Sequence, residues 1–162
     1  MISGMYLGEI VRLVLMKLTE KKLLFKGEAS EALHTPGTFE TKFISMIEEP
    51  DSGLENAKKI LTELGLRWDL VDARVVRLVC ETISSRSARL CAAALATIAN
   101  RILANRGLPH LKTTVGVDGT VYKKHPNPIM SDFRPLISSN FWMDFPQVLA
   151  GYMVRRKFCN LI

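Results

Sequence analysis

The chain has 162 residues, of which 48% are hydrophobic and 23% are charged, with a formal net charge of +6 and three cysteines. This composition is typical of a globular domain and excludes a disordered or fibrous chain. Its uncharged runs are about half as long as the roughly 20 residues that a membrane-spanning helix needs. A signal peptide is not recognisable, and three cysteines cannot build a disulfide framework. We therefore expect a cytoplasmic protein with no transmembrane segment.

The positive charge is spread along the chain. Lysines and arginines alternate with acidic residues and form no basic stripe with interleaved aromatic residues, so nucleic acid is not expected as a partner. Small anions such as nucleotide phosphates remain compatible with this pattern.

Apolar residues at three- and four-residue spacing predict a mostly helical chain. The helices are placed at residues 7–21, 38–46 (as a short helix or a loop), 54–64 and 69–105. Ser30 can cap a short turn before Pro36, while Gly65 and Gly107 each follow the end of a predicted helix.

A short hairpin is predicted after the longest helix. Residues 113–117 have the character of a buried strand, Asp118 and Gly119 are a turn signal, and residues 121–123 would form the return strand. From Pro126 onward the composition changes, since four of the seven prolines, Pro126 included, and half of the aromatic residues lie there without regular periodicity. We place a boundary at this point, between a domain of residues 1–126 and a divergent, poorly ordered tail of residues 127–162.

Most residues that could carry chemistry have a simpler structural interpretation. The histidines lie far apart and have no partner at metal-ligand spacing, and the serines near residue 85 have no histidine or acid placed to activate them. Cys80 and Cys91 share one helix face as core thiols. We therefore predict no catalytic residue and no metal site. The segment Val115–Thr120 remains open, because its glycine turn suits either an ordinary hairpin or close approach of a phosphate.

Four segments, read in order, resemble the eukaryotic hexokinase and glucokinase family. They are Ile2-Ser3-Gly4-Met5-Tyr6-Leu7-Gly8-Glu9-Ile10-Val11-Arg12, Leu24-Phe25-Lys26-Gly27, Phe39-Glu40-Thr41-Lys42 and Thr114-Val115-Gly116-Val117-Asp118-Gly119-Thr120-Val121-Tyr122-Lys123, the last followed by His125-Pro126. The long helix also matches at Val79-Cys80-Glu81 and at residues 84–88. The resemblance covers about 125 of the 162 residues.

The resemblance implies an α/β fold, as a fragment of the large domain of an actin-like, ribonuclease H-like ATPase. It also implies ATP with Mg²⁺ as cofactor. The family's nucleotide contacts fall on Gly4, Met5, Thr41, Lys42, Phe43, Ile44, Ser45, Asp118, Gly119, Thr120, Val121, Tyr122, Lys123 and Lys124. Met5 stands where some members carry lysine.

The implied parent reaction transfers the ATP γ-phosphoryl group to the 6-hydroxyl of a hexose such as glucose, the first step of glycolysis. In the family, the sugar carboxylate and the general base precede the segment that starts this chain. A Gly-rich segment expected near the family's carboxyl terminus is absent here and is replaced after Asn127 by an unrelated sequence. We therefore expect a chain truncated at both ends relative to the family and inactive alone. The alternative is a non-catalytic nucleotide-binding or interaction module, associating with a full-length hexokinase.

Overall fold

The computed structural model describes residues 3–51 and 53–114, together with three short strands between residues 141 and 155. Within this part of the chain the helices are α1 (Gly4–Glu20), α2 (Glu31–His34), α3 (Thr41–Glu48), α4 (Glu55–Glu63) and α5 (Leu70–Arg106). A 3₁₀ turn at Phe25–Gly27 lies between α1 and α2. The strands are β1 (Leu111–Thr114), β2 (Phe141–Asp144), β3 (Pro146–Leu149) and β4 (Tyr152–Arg155). The chain divides into two compact units, Met1–Ser87 and Ala88–Ile162.

Helix α1 buries one apolar face. The side chains of Leu7, Val11 and Leu15, four residues apart, are almost fully excluded from solvent. The helix begins because Ser3 is extended and its hydroxyl accepts the Met5 N–H, which satisfies one of the orphan donors of the first turn. The helix predicted over residues 7–21 is confirmed.

The chain leaves α1 through a strained turn that the start of α5 holds in place. Phe25 is fully buried and has a φ of 51°, a conformation that costs energy for any residue with a side chain. Its N–H donates to Asp72 Oδ1 at 3.3 Å. Asp72 Oδ2 also accepts the Asp69 N–H, and Asp69 Oδ1 accepts the Asp72 N–H. Asp69 therefore caps α5, and the Asp72 carboxylate both completes this capping box and fixes the turn.

Helix α3 connects the other helices of the first unit, since it packs against both α1 and α4. Its residues Phe43, Ile44 and Ile47 are buried, and the Phe39 ring meets the Phe43 ring edge to face at 5.6 Å. Ser30 caps α2 by accepting the Leu33 N–H. The predicted cap and the predicted helices around residues 38–46, 54–64 and 69–105 are thus confirmed.

The hairpin predicted over residues 113–123 is not seen among the described residues, which include only Thr113 and Thr114 of this segment. Thr113 and Thr114 of its first strand belong to β1, and residues 115–117 lie outside the described residues. Strand β1 pairs in parallel with β2, with Leu111 opposite Phe141. A parallel partner must come from a distant segment, which a local turn signal cannot reveal. The proposed return strand at residues 121–123 lies outside the described residues.

Strands β3 and β4 form an antiparallel pair in which Pro146 lies opposite Arg155. They fall in the segment 127–162, whose boundary near residue 126 and loose order stay predictions. Among the described residues, no helix is both long and apolar enough to cross a membrane.

Candidate functional site

The first turns of α1 and α3 are joined by one hydroxyl group. Thr41, the first residue of α3, accepts the Gly8 N–H on its Oγ1 at 3.1 Å and donates to the Gly4 carbonyl oxygen. The hydroxyl therefore lies between the two backbone groups of α1 that an undisturbed helical hydrogen bond would join. This places the amino-terminal ends of two helices side by side.

Gly8 allows this close approach. A Cβ atom at Gly8 would lie 2.1 Å from the Phe39 carbonyl oxygen, 2.7 Å from the Thr41 nitrogen and 2.8 Å from the Glu40 carbonyl carbon. All three are backbone atoms, which cannot rotate away as a flexible side chain can. Only a glycine fits between the helix and the segment that leads into α3.

A second set of contacts holds the segment that precedes α3. The buried Arg12 guanidinium donates to the Leu33 carbonyl oxygen at 2.7 Å and to the His34 carbonyl oxygen at 3.4 Å. It also forms a two-point ion pair with Glu9, whose Oε2 accepts the Gly37 N–H at 3.0 Å. The hydrogen bond and charge of Arg12 lower the pKa of Glu9, and Glu9 raises the pKa of Arg12. Residues 33–41 are thus anchored to α1 at both ends.

The first turns of α1 and α3 meet at a corner formed by Gly4 and Thr41. The electrostatic potential at this corner favours an anion. Backbone N–H groups in the first turn of a helix have no partner within the helix, and the helix dipole adds positive potential there. Two such helix ends meet at Gly4 and Thr41. The N–H groups of Met5 and Tyr6 already donate to Ser3, and that of Phe43 donates to the Glu40 carbonyl oxygen. The arrangement is therefore suited to bind a phosphate or carboxylate group through the other N–H groups of these first turns.

The structure brings together some of the residues expected at the nucleotide site. Gly4 and Thr41 are in direct contact, and Met5 in the same turn of α1 is 80% exposed. Lys42 is exposed, lies 5.3 Å from the centre of the Phe43 ring and pairs with Glu40 at 2.8 Å. Its positive charge at the corner is therefore partly offset by a neighbouring carboxylate.

Two of the expected residues face the interior. Phe43 and Ile44 are 5% and 1% exposed, so their side chains contribute to the core and only their backbone could meet a ligand. Ser45, in the same helix, is half-buried. Residues 118–124, which make up the rest of the expected nucleotide contacts, lie outside the described residues.

The other polar clusters in the first unit have structural roles. The buried Glu48 accepts a hydrogen bond from Ser84 Oγ at 2.6 Å, which links α3 to α5. Cys80 is buried beside it, and burial together with the charge of Glu48 raises the pKa of the thiol. The core thiol predicted at Cys80 is confirmed, whereas Cys91 is half-buried. In the described part of the chain, no group of three or more His, Cys, Asp or Glu side chains is arranged to hold a metal ion.

Comparison with known proteins agrees with the resemblance found in the sequence. The profile of the family described as "Hexokinase" matches residues 1–131, which is most of the chain. The chain belongs to the hexokinase family. Rat Hexokinase-1 is 52% identical over 127 residues, and human hexokinase HKDC1 is 52% identical over 126 residues.

A solved structure extends this agreement to the fold. The hexokinase from Schistosoma mansoni complexed with glucose matches 88% of this chain with a TM-score of 0.74 at 34% identity. The actin-like fold expected for a hexokinase is thereby supported, although the expected hairpin is not seen. The chain spans 14% of the length of rat Hexokinase-1 and of human HKDC1, and 33% of the Schistosoma chain.

The contribution of Gly8 was not predicted from the sequence. Gly8 lies in the segment that matches the family, but its spacing does not indicate a function. Nor does the sequence connect Glu9 or Arg12 with residues 33–37. One signal was available, because glycine inside a helix costs about 1 kcal/mol relative to alanine and usually marks a close approach. What approaches it could not be read from periodicity.

Proposed function

We propose that this chain forms part of the ATP site of a hexokinase, whose reaction is phosphorylation of a hexose such as glucose at the 6-hydroxyl. The observation that carries the proposal is the junction of Gly4, Gly8 and Thr41, which aligns two helix amino termini inside the region that matches the family. Family membership and the names of the relatives support the reaction type. Since the chain spans a small part of those relatives, the reaction is assigned to the whole enzyme.

The residues at the corner fit an adenine nucleotide with its phosphates. Gly4 keeps a side chain away from the start of α1, whereas Gly8 is covered by the backbone of residues 39–41. The first turn of α3 offers N–H groups to an anion. The segment Asp118–Lys124 would supply further contacts, as the resemblance implies. Mg²⁺ in hexokinases offsets the phosphate charge, and it commonly binds through substrate phosphates with few protein ligands.

We also propose that the 162-residue chain binds the nucleotide and does not catalyse the transfer. The residues carried over from the family are nucleotide contacts, and none of them is a general base or a sugar ligand. General-base assistance alone is worth about 10² to 10⁴-fold in rate. The chain alone is therefore expected to phosphorylate glucose no faster than background.

Two measurements on the purified chain test this function. Titration with MgATP, followed by amide chemical shifts, should perturb residues of the first turns of α1 and α3. Lys42→Ala should weaken binding by up to about fivefold, the range for an exposed charge contact. Lys59→Ala, which removes an exposed lysine from α4, should leave binding unchanged. Absence of binding at millimolar MgATP, or equal effects of the two substitutions, would refute the proposal.

The same titration includes a variant in the turn predicted at Gly119. Gly119→Val should abolish binding while the far-ultraviolet circular dichroism spectrum stays helical, because a side chain would stand where the backbone must approach the nucleotide. A coupled assay for glucose phosphorylation completes the comparison. Hexose-dependent turnover by the chain alone would show that the assignment of a purely binding function is wrong.

A second candidate function is an interaction module that associates with a full-length hexokinase. The first part of α5 favours it, since Leu70, Val71 and Leu78 are exposed on its surface. Size-exclusion chromatography of the chain mixed with a full-length hexokinase tests this candidate. Co-elution lost in a Val71→Ser and Leu78→Ser variant would support it, and separate elution would reject it.

A further inference from the structure

We infer that Thr41 is a positioning residue of the nucleotide corner, and that its hydroxyl fixes the start of α3 against the first turn of α1 without itself contacting phosphate. The inference rests on the proposed function, because it assigns a task within the same site. It predicts that the hydroxyl group of Thr41 determines the affinity for the nucleotide by holding the two helix ends together.

The argument starts from the number of hydrogen bonds that a hydroxyl can make. A threonine hydroxyl has one donor and two acceptor lone pairs. The Thr41 hydroxyl donates its hydrogen to the Gly4 carbonyl oxygen, and one of its lone pairs accepts the Gly8 N–H. A phosphate oxygen needs a donor, and the only donor of this side chain is already used within the protein.

The surroundings of the hydroxyl leave it little freedom to change partners. Gly8 lies against the backbone of residues 39–41 with no room for a Cβ atom. The segment before α3 is held farther along α1, where Arg12 and Glu9 bind the backbone of Leu33 and Gly37. Turning the hydroxyl toward a ligand would leave the Gly4 carbonyl oxygen and the Gly8 N–H without this partner.

The consequence for binding is indirect. When the hydroxyl is in place, the first turns of α1 and α3 keep a fixed separation, and their N–H groups can meet one phosphate together. Without it, the two helix ends separate or slide. The nucleotide then loses a preorganised site, although no atom that touches it has been removed.

Three variants of the full chain separate positioning from direct contact. Thr41→Val keeps the shape and removes the hydroxyl, and Thr41→Ser restores the hydroxyl. Thr38→Val removes a hydroxyl that donates to the carbonyl oxygens of Ala32 in α2 and of Thr35 just after it. Each variant is measured well below its thermal midpoint, so that a change in affinity does not reflect unfolding.

The expected pattern involves two readouts. In Thr41→Val, the Gly8 amide should exchange with solvent at least tenfold faster and MgATP affinity should fall on the order of tenfold, as for loss of one or two hydrogen bonds. Thr41→Ser should stay within about twofold of the wild-type affinity and keep the Gly8 amide protected. Thr38→Val should change neither value.

The outcomes distinguish this inference from the proposed function. Unchanged MgATP affinity in Thr41→Val, or equal losses in Thr41→Ser and Thr41→Val, would overturn the positioning task. An unprotected Gly8 amide in the wild-type chain would overturn it as well. If the wild-type chain binds no MgATP but its Gly8 amide is protected only when residue 41 carries a hydroxyl, the proposed function fails and the anchoring of α3 to α1 by Thr41 stands.

Discussion

Replacing Gly8 by alanine tests whether the close contact between α1 and α3 determines the stability of the first unit. The added methyl group would lie 2.1 Å from the Phe39 carbonyl oxygen, whereas carbon and oxygen atoms in contact are normally about 3.3 Å apart or more. The connecting segment would have to move by about 1.2 Å, the difference between these two distances. Since the nearest atoms belong to the backbone, the shift must separate the two helices.

The expected change in the free energy of unfolding has two destabilising contributions and one stabilising contribution. Overpacking of this kind costs about 1 to 3 kcal/mol. Separation of the helices would also break the contacts of the Thr41 hydroxyl, at about 1 kcal/mol for a hydrogen bond. Alanine regains about 1 kcal/mol in helix propensity over glycine. The net expectation is a loss of about 2 kcal/mol in the free energy of unfolding.

Urea unfolding followed by circular dichroism at 222 nm measures this difference. A loss of about 2 kcal/mol lowers the urea midpoint by roughly 1 M for a domain of this size. Leu13→Ala is the matched control, because Leu13 lies on the exposed side of the same helix and should change stability by less than about 0.5 kcal/mol. A Gly8→Ala protein that is as stable as the wild type, or more stable by the propensity gain, would refute the close-packing argument.

Two further substitutions test the contacts that hold the connecting segments. Glu9→Gln should cost about 1 kcal/mol at pH 7, because it weakens the pairing with Arg12 and the contact to Gly37. The pKa of Glu9 is lowered in the folded chain, so its contribution is present above the unfolded value of about 4.3 and is lost as the pH falls through the folded value. The difference in urea midpoint between wild type and Glu9→Gln should therefore shrink below about pH 4, and a constant difference would contradict this. Asp72→Asn should cost about 1 to 3 kcal/mol by placing an amide N–H against a backbone donor, whereas Asp69→Asn should be nearly neutral because asparagine caps helices equally well; equal losses would show that Asp72 has no special function.

Much of the helical structure could be predicted from the sequence because its determinants are local. The apolar spacing along α1, the cap at Ser30 and the glycines that follow α4 and α5 each act within a few residues. Short-range signals of this kind were sufficient to place four of the helices to within a few residues. They do not depend on which part of the chain packs against which.

The errors and omissions concern contacts between distant residues. Thr113 and Thr114, the described part of the strand predicted before Asp118, belong to β1, and β1 pairs with the distant β2. The φ of 51° at Phe25 was also unforeseen, because a buried phenylalanine rarely adopts it and Asp72, which holds its N–H, lies 47 residues away. Pairing across such distances depends on the tertiary fold, which periodicity does not describe.

The candidate site was found through family resemblance, and the structure gives part of that resemblance a physical cause. Gly4 and Thr41 are 37 residues apart, and no spacing rule connects them. Their contact depends on Gly8, which lacks a side chain, and on Arg12, which holds the connecting segment one turn farther along α1. All these partners lie between residues 3 and 41, within one compact unit. The geometry of the corner is therefore set by a short stretch of the chain, and residual MgATP binding by Gly119→Val would show that this stretch binds phosphate without the predicted turn at residues 118–119.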